Sequence, residues 1–436
     1  MNNKISVFWF RRDLRLEDNT GLLKALQGPT PVLPIFIFDT EILCQVPKND
    51  ARVNFIYNTI ETLNTNIKKK HKSSIAIFHG KPIEIFNTLI KKHTIDAVFA
   101  NHDYEPHALK RDTAIKELLA NNSISFHTYK DQVIFEKNEI IKSDKSPYVV
   151  YTPYKNKWKE NFDPKIHLKN SSNCLESNNF VNNTNLPFFE LRDIGFESSS
   201  ITVPEFIITI TFIEGYETTR NYPGATNGTS KIGPHLRFGT VSIRKIVKHA
   251  INSDNKVFWN ELIWREFFMQ ILWHFPNTVN NAFRPKYDRI EWRNNEAEFE
   301  KWKTGQTGYP LVDAGMRELN ATGFMHNRVR MLTASFLCKH LLIDWRWGEA
   351  YFAEKLLDFD LSANVGNWQW AAGSGVDAAP YFRIFNPSTQ IDKFDKQKTY
   401  VNQWVPELQE FNYPTQIVDH KFARERCLKV YKEALG

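Results

Sequence analysis

SVFWFRRDLRLEDN, residues 6–19, begins with a short apolar run and turns abruptly into arginines and acids. Four more short apolar runs follow: VLPIFIF (32–38), IAIF (75–78), DAVFA (96–100) and ISFH (124–127). Each has the length and the branched or aromatic character of a buried strand. Between them, residues 51–70 and 105–121 repeat apolar positions at helical spacing above polar faces. Strands separated by helices predict an α/β domain built on a doubly wound parallel sheet. In dinucleotide-binding sheets of this kind the first strand runs into GxGxxG. Here it runs into RRDLRLEDN, so the sheet is Rossmann-like without that fingerprint and is not a standard NAD or FAD site.

A chain of 436 residues exceeds a usual single core, so the reading outward from that sheet is of two domains. Residues 1–130 form the α/β domain and 131–204 a long linker, whose segment 169–202 is dominated by Asn and Ser and loses all periodicity. Residues 205–436 read as an all-α domain, with no alternating strand. At 42% hydrophobic and 24% charged the chain is globular rather than disordered. Cys44, Cys174, Cys338 and Cys427 are scattered with no CxxC pair, which argues against a disulfide framework and a structural metal site and suits a reducing cytoplasm. Charges directly after the first apolar run argue against a signal peptide, and no apolar run is long enough to span a membrane. Net charge is +7; residues 1–200 carry 27 basic against 23 acidic side chains and the remainder 29 against 26, so the excess is even and marks no groove. The tryptophans are uneven: ten of the twelve lie between Trp259 and Trp404.

Three stretches of the second half carry chemistry. NELIWREFFMQILWHF (260–275) is a helix apolar over most of its circumference, with Glu261, Arg265 and Glu266 embedded in it; buried or half-buried charges need partners or a ligand. ATNGTSKIGPHLRFGTVS (225–242) is a Gly/Ser/Thr loop entering a helix, whose backbone N–H groups and Lys231 suit a pyrophosphate, although most such loops simply turn. The span 308–394 threads Asp313, Arg317, Asn327, Arg328, Arg330, Asp358, Asp360, Asn364 and Asp377 among Trp345, Trp347, Trp368 and Trp370. Any one of these tryptophans or aspartates is accounted for by packing, capping or pairing. A polar constellation inside an aromatic core costs several kcal/mol unless it is paired or holds a ligand.

WFRRDLRLEDN, SPYVVYTPYKNKW, NELIWREFF, GYPLVDAGMRELNATGFMHNRVRM, WGEAYF and GNWQWAAGSGVDAAPYFRIFNP, in this order, resemble the photolyase/cryptochrome family, most closely the class I cyclobutane pyrimidine dimer photolyases. The resemblance extends over nearly the whole chain. It implies that the all-α domain binds FAD, with Tyr216 and Thr229, Ser230, Lys231, Ile232 and Gly233 at the phosphates. Phe258, Asn327, Arg330, Asp358, Phe359, Asp360 and Asn364 would line the flavin and ribose, with Asn364 facing flavin N5. The implied activity is that of a deoxyribodipyrimidine photo-lyase, which repairs pyrimidine dimers in DNA with an electron from light-excited reduced FAD. By the same likeness Glu261 and Trp264 hold the dimer, Asn327, Met331 and Trp370 border it, and Arg265 meets phosphate. Trp292, Trp345 and Trp368 match the family's electron-transfer triad, while Trp273, Trp302 and Trp404 read as packing.

Departures from the family pattern bear mainly on a second, antenna chromophore. Ala108 follows YEPH where folate binders carry glutamate, so a folate is disfavoured and a deazaflavin stays open. A (6-4) photolyase would need a histidine pair where Asn327 and Met331 stand. A cryptochrome-type blue-light receptor and a DASH-type single-strand photolyase are the remaining alternatives. No obligate protein partner is implied, and the expected state is a monomer acting on DNA.

Overall fold

The computed structural model describes residues 4–169 and 173–436. Five strands, β1 (Ile5–Phe10), β2 (Val32–Phe38), β3 (Ala76–His79), β4 (Ile95–Asn101) and β5 (Ser125–Tyr129), form one sheet in the order β3-β2-β1-β4-β5. Every pairing is parallel, as the strand–helix alternation predicts. Apart from Ser6, whose hydroxyl bonds that of Thr30, β1 and β2 are apolar because both of their faces are covered. On one face Phe8, Phe10, Phe36 and Phe38 meet Val53, Ile60, Leu63 and Ile67 of the helix Ala51–His71. On the other, Val7, Trp9, Ile35 and Val98 meet Phe86 and Leu89 of the helix Pro82–Lys92 and Ile115 and Leu119 of the helix Pro106–Asn121.

The charged run that replaces a glycine fingerprint after β1 is consumed by the fold. Arg15 Nη2 donates to Asp131 Oδ2 at 2.6 Å, and Arg244 Nη2 donates to Asp131 Oδ1 at 2.8 Å. Arg244 Nε reaches Asp18 Oδ2 at 2.8 Å, and Asn19 caps the helix Thr20–Leu26. Burial favours the neutral acid at Asp131, yet Arg15 and Arg244 outweigh it and hold the carboxyl below its ordinary value. Gly239, at φ +65°, passes so close to the Arg12 carbonyl that a β-carbon would overlap it.

The chain forms two compact units. The sheet unit comprises residues 1–136, 162–205 and 232–249. The helical unit comprises 137–161, 206–231 and 250–436. The span 131–204, read as linker, is thus divided: 137–161 pack with the helices and 162–205 with the sheet, where Phe180 forms a bridge to Val32. Within the helical unit, the helix Val257–His274 is buried over most of its circumference. The helix Leu361–Ala372 packs on it at Gly366, where any β-carbon would overlap the Phe268 ring. Trp302, Tyr309, Phe336, Trp345, Phe352, Trp368 and Tyr400 fill the core around them. Among the described residues no helix is long and apolar enough to cross a membrane, and no metal-ligand cluster occurs.

Replacing Arg244 by Met leaves two buried carboxylates short of a partner. The expected loss is about 3–5 kcal/mol of stability, read as a lower urea midpoint for the sheet unit.

Candidate functional site

Asp358 and Asp360 stand at the entry to the helix Leu361–Ala372. Asp360 is the N-cap, accepting from Ala363 N at 3.3 Å and from the Ser362 hydroxyl. Asp358 is gripped by Arg330 in a two-pronged pair, Nη1–Oδ1 3.1 Å and Nη2–Oδ2 2.9 Å, while Arg330 Nε donates to the Met325 carbonyl at 2.7 Å. One turn into the helix, Asn364 Nδ2 donates to Glu349 Oε1 at 2.8 Å and to the Glu349 carbonyl at 3.0 Å. Both amide hydrogens are therefore committed, and the amide oxygen is left to accept from a ligand N–H. Burial pushes the Glu349 carboxyl up, and the Asn364 hydrogen bond only partly opposes this. Phe359 packs on the core beside the two aspartates.

A second group of residues gathers at the helix Val257–His274. Glu261 Oε1 accepts from Arg220 Nη1 at 2.5 Å. Burial opposes the Arg220 charge, but the Glu261 carboxylate outweighs it and holds the guanidinium above its ordinary pKa. Arg220 lies 5.3 Å from the Tyr216 ring centre, and Tyr216 meets buried Phe258 edge-on at 5.2 Å. Trp264 stacks on Tyr151 at 3.6 Å and 8°, meets Phe267 edge-on at 5.5 Å, and stacks on Phe268 at 5.6 Å, the ring that Gly366 abuts. Glu266 is fully enclosed and accepts from Trp158 Nε1 at 2.7 Å, so it serves the fold. Arg265 is half-buried on the same helix.

Asn327 is exposed at the start of the helix Asn327–Ser335, and Met331 is half-buried one turn later. His326 caps this helix, its Nδ1 accepting from Arg328 N at 3.1 Å. Burial, then Arg330 and Arg328, push its pKa down to about 4, so the ring is neutral. In the loop 229–233, Lys231 takes the left-handed conformation (φ +55°) with Nζ 5.9 Å from the Phe324 ring centre, and the Ser230 carbonyl accepts from Ile207 N. Thr229 is half-buried here, whereas Ile232 and Gly233 belong to the sheet unit, where Gly233 opens the short helix Gly233–Arg237.

Of the tryptophans, Trp345 and Trp368 are each 2% exposed and Trp292 is half-buried, edge-on to Tyr431 at 6.2 Å. Gly348 gives Trp368 its room, since a β-carbon there would overlap the indole. Trp370 is half-buried, Trp273 lies beneath Lys137 at 5.3 Å, and Trp404 packs on the core. The sheet unit holds a separate cavity of about 190 Å³ lined by Trp9, Asp39, Glu105, His107, Arg111 and Arg237. Asp39 is buried, with an Oδ2 that has no hydrogen-bond partner.

Three residues of this site escape a reading of the sequence: Glu349, Arg220 and Tyr151. Glu349 and Tyr151 lie inside the family-like runs WGEAYF and SPYVVYTPYKNKW, which was the available signal. Conversely, Asp313 of the polar constellation serves the fold, accepting from Thr307 N and Oγ1, Gly308 N and Tyr413 Oη. Arg317 likewise pairs with Glu407.

Comparison with known proteins decides the family. "DNA photolyase" matches residues 6–171 and "FAD binding domain of DNA photolyase" matches residues 258–433. The chain belongs to the DNA photolyase family. A deoxyribodipyrimidine photo-lyase of Agrobacterium fabrum is 34% identical over 98% of this chain and 97% of its own length. The crystal structure of a bacterial class III photolyase from Agrobacterium tumefaciens superposes with TM-score 0.89 at 32% identity, covering 100% of this chain and 98% of that one. An archaeal photolyase from Sulfolobus tokodaii, solved with two FAD molecules and described as implying a novel light-harvesting cofactor, gives TM-score 0.82 at 32% identity over 98% and 99% of the two chains.

The donor set fits FAD. The Asn364 oxygen would be free to accept a flavin N–H, the Arg330–Asp358 pair and the Asp360 cap would offer fixed charges and dipoles, and Tyr216 and Phe258 would supply aromatic surface. The pH dependence of the fold carries a signature of His326. Its folded pKa of about 4 lies below the ordinary 6.5, so its contribution to stability is complete above pH 6.5 and is lost as pH falls toward 4. In His326→Asn, which keeps a side-chain cap, urea midpoints measured from pH 7 to pH 4 should fall less steeply than in the parent protein.

Proposed function

We propose that the protein repairs cyclobutane pyrimidine dimers in DNA, using an electron delivered by light-excited FAD. The observation that carries this reading is the short path from Asn364 to Trp264. Asn364 and Gly366 lie on one helix, Gly366 abuts Phe268, and Phe268 stacks against Trp264. The residue that would hold the flavin and the residue that would hold the lesion thus stand on two helices locked together.

Bound reduced FAD would supply an electron donor on absorbing blue light and would recover the electron after ring opening, so the chemistry would be redox-neutral. The rest falls to side chains. Trp264, already immobilised on Tyr151, offers a flat apolar face to an extruded dimer. Arg220 holds one oxygen of Glu261, leaving the second to accept from the imide N–H of the dimer's carbonyl edge. Damaged bases are poorly stacked and cost less to extrude than intact ones, which favours the lesion. Met331, Asn327 and Trp370 border the same pocket, and Arg265 contacts phosphate, fixing position rather than reading sequence. Asn364 would accept from flavin N5–H and has no acidic proton to transfer, which suits an anionic reduced flavin. His326, neutral and spent on a helix cap, offers no acid–base pair for a (6-4) lesion. Trp368, Trp345 and Trp292 would relay electrons from the surface to light-excited oxidised FAD.

The sheet-unit cavity supports a second, light-harvesting chromophore. The Asp39 oxygen, which has no hydrogen-bond partner and lies 4.0 Å from His107 Nε2, and the aromatic wall of Trp9 suit a planar heterocycle with N–H donors, which a deazaflavin or flavin provides. The working form is a monomer on DNA without an obligate protein partner, in a reducing cytoplasm where its four free cysteines stay unpaired.

Reduced protein incubated with dimer-containing duplex should restore pyrimidines in blue light and not in darkness. Equal yields in light and dark, or no repair, would overturn the reading; repair confined to single strands would place the protein with DASH-type members. Glu261→Ala should weaken discrimination of lesion over intact DNA by about tenfold, and binding of both should weaken as salt rises. Trp368→Phe should slow photoreduction of the oxidised cofactor at least about tenfold while chemically reduced protein still repairs.

A further inference from the structure

All five strands of the sheet run parallel, so every crossover helix ends at the edge where the strands begin. The two edges of the sheet handle charge differently. Where strands end, carboxylates are held by arginines: Asp103 and Glu105 by Arg12 at 3.2 and 2.9 Å, and Asp131 by Arg15 at 2.6 Å. Where strands begin, the helix Ala51–His71 closes on Lys68, Lys69 and Lys70, with Lys72 just beyond it, and the helix Pro82–Lys92 closes on Lys91 and Lys92. All six lysines are exposed, and among the described residues none has a carboxylate within ion-pair distance. The acid at the start of β4, Asp96, is taken by Lys4 at 2.6 Å. Residues 177–187, SNNFVNNTNLP, carry no charge and border the same edge, where Phe180 bridges Val32 and meets the His71 ring at 5.0 Å. Two residues after Lys72, Ser74 Oγ donates to the Asn183 carbonyl at 2.8 Å and accepts from Leu186 N at 3.3 Å.

A lysine or two at a helix C-terminus complements the helix dipole. Four around one helix end exceed that need. Lys68 and Lys72 stand four positions apart, where like charges repel. Lys72 also takes the left-handed conformation, at φ +46°, in a cap position that glycine or asparagine fills with less strain. Without a partner these charges work against the fold; against an external polyanion each becomes a contact.

We propose that this edge of the sheet unit is a second DNA contact surface, which grips the phosphate backbone of undamaged duplex. The proposal deepens the repair reading given above, whose lesion contacts all lie in the helical unit.

The dimensions and the chemistry both suit a duplex. β3 and β4 are three strand spacings apart, about 14 Å along the edge. The major groove is roughly 12 Å wide, so the two lysine groups reach phosphates on either side of one groove. Lysine ammoniums suit phosphate oxygens rather than base planes, so the grip is independent of sequence. Exposed Asn182, Thr184 and Asn185 add amide and hydroxyl donors of the kind that bind phosphate. Ile67 and Leu89, beside the lysines on the two helices, are buried, so these helix ends present no apolar face for insertion into a lipid bilayer.

The test compares two full-length, FAD-loaded variants of equal net charge. One carries Lys68→Gln, Lys69→Gln, Lys70→Gln and Lys72→Gln. The other carries Lys301→Gln, Lys421→Gln, Lys429→Gln and Lys432→Gln, at exposed positions of the helical unit. Binding to a short undamaged duplex is followed in darkness by fluorescence anisotropy across a salt series. In the first variant the slope of log affinity against log salt should fall by about 3, and affinity at low salt by at least about tenfold. The second should match the parent protein, and light-driven repair at saturating dimer should be unchanged in both. Lys91→Gln with Lys92→Gln, made separately, should lower the slope by about 2. Equal slopes in the two fourfold variants would overturn the proposal. So would loss of binding to phosphatidylserine vesicles in the first variant with its duplex binding intact, which would assign the edge to a membrane. Absence of light-driven repair in the parent, with the slopes as expected, would refute the repair reading and leave this surface standing; normal repair with equal slopes would refute only the surface.

Discussion

The contact between Gly366 and the Phe268 ring sets the spacing on which the site depends. A hydrogen in place of a side chain lets the helices Leu361–Ala372 and Val257–His274 approach closely. That approach carries Asn364 and Trp368 on one side and Trp264 on the other, all on regular helix rather than loop. Groups placed on packed helices hold their geometry without loop ordering at the moment of reaction. Gly348 repeats the device one layer away, making room for the Trp368 indole. Two absent methyl groups thus position the aromatic core where light-driven chemistry is proposed.

Much of the sheet was legible because its signal is local. β1 and β2 are covered on both faces, so apart from Ser6 their residues are apolar, and Val32–Phe38 coincides with its apolar run. IAIF (75–78) is displaced by one residue from β3, Ala76–His79, because ladder partners rather than hydrophobicity end a strand. The division of 131–204 between the units was hidden by Asn and Ser. Phe180, Phe188 and Phe189 within that polar run pack on the sheet core all the same.

The site was legible in type and less so in partnership. A carboxylate that accepts four hydrogen bonds from its own fold, as Asp313 does, has the same letter as one awaiting a ligand. Arg220 finds Glu261 across 41 positions and Tyr151 finds Trp264 across an even larger separation, so neither pair leaves a periodic trace. The Arg–carboxylate pairs of the site are partly open to solvent and add little to stability. Their use is orientation: Arg330 fixes Asp358 by two bonds, and Arg220 fixes the rotamer of Glu261. The buried Arg15–Asp131–Arg244 network differs, because there each charge exists only on condition of the others.

The Asn364 amide has consequences for what else could stand at that position. Its nitrogen faces the Glu349 carboxylate at 2.8 Å, so the side chain cannot rotate by half a turn without setting two oxygens against each other. An aspartate at 364 would meet the same opposition permanently, and the pair would have to share a proton. The polarity that position 364 offers at the proposed flavin site is therefore not set by that residue alone. Glu349 acts as a lock on it, and a change from amide to acid at one position requires a matching loss of charge at the other.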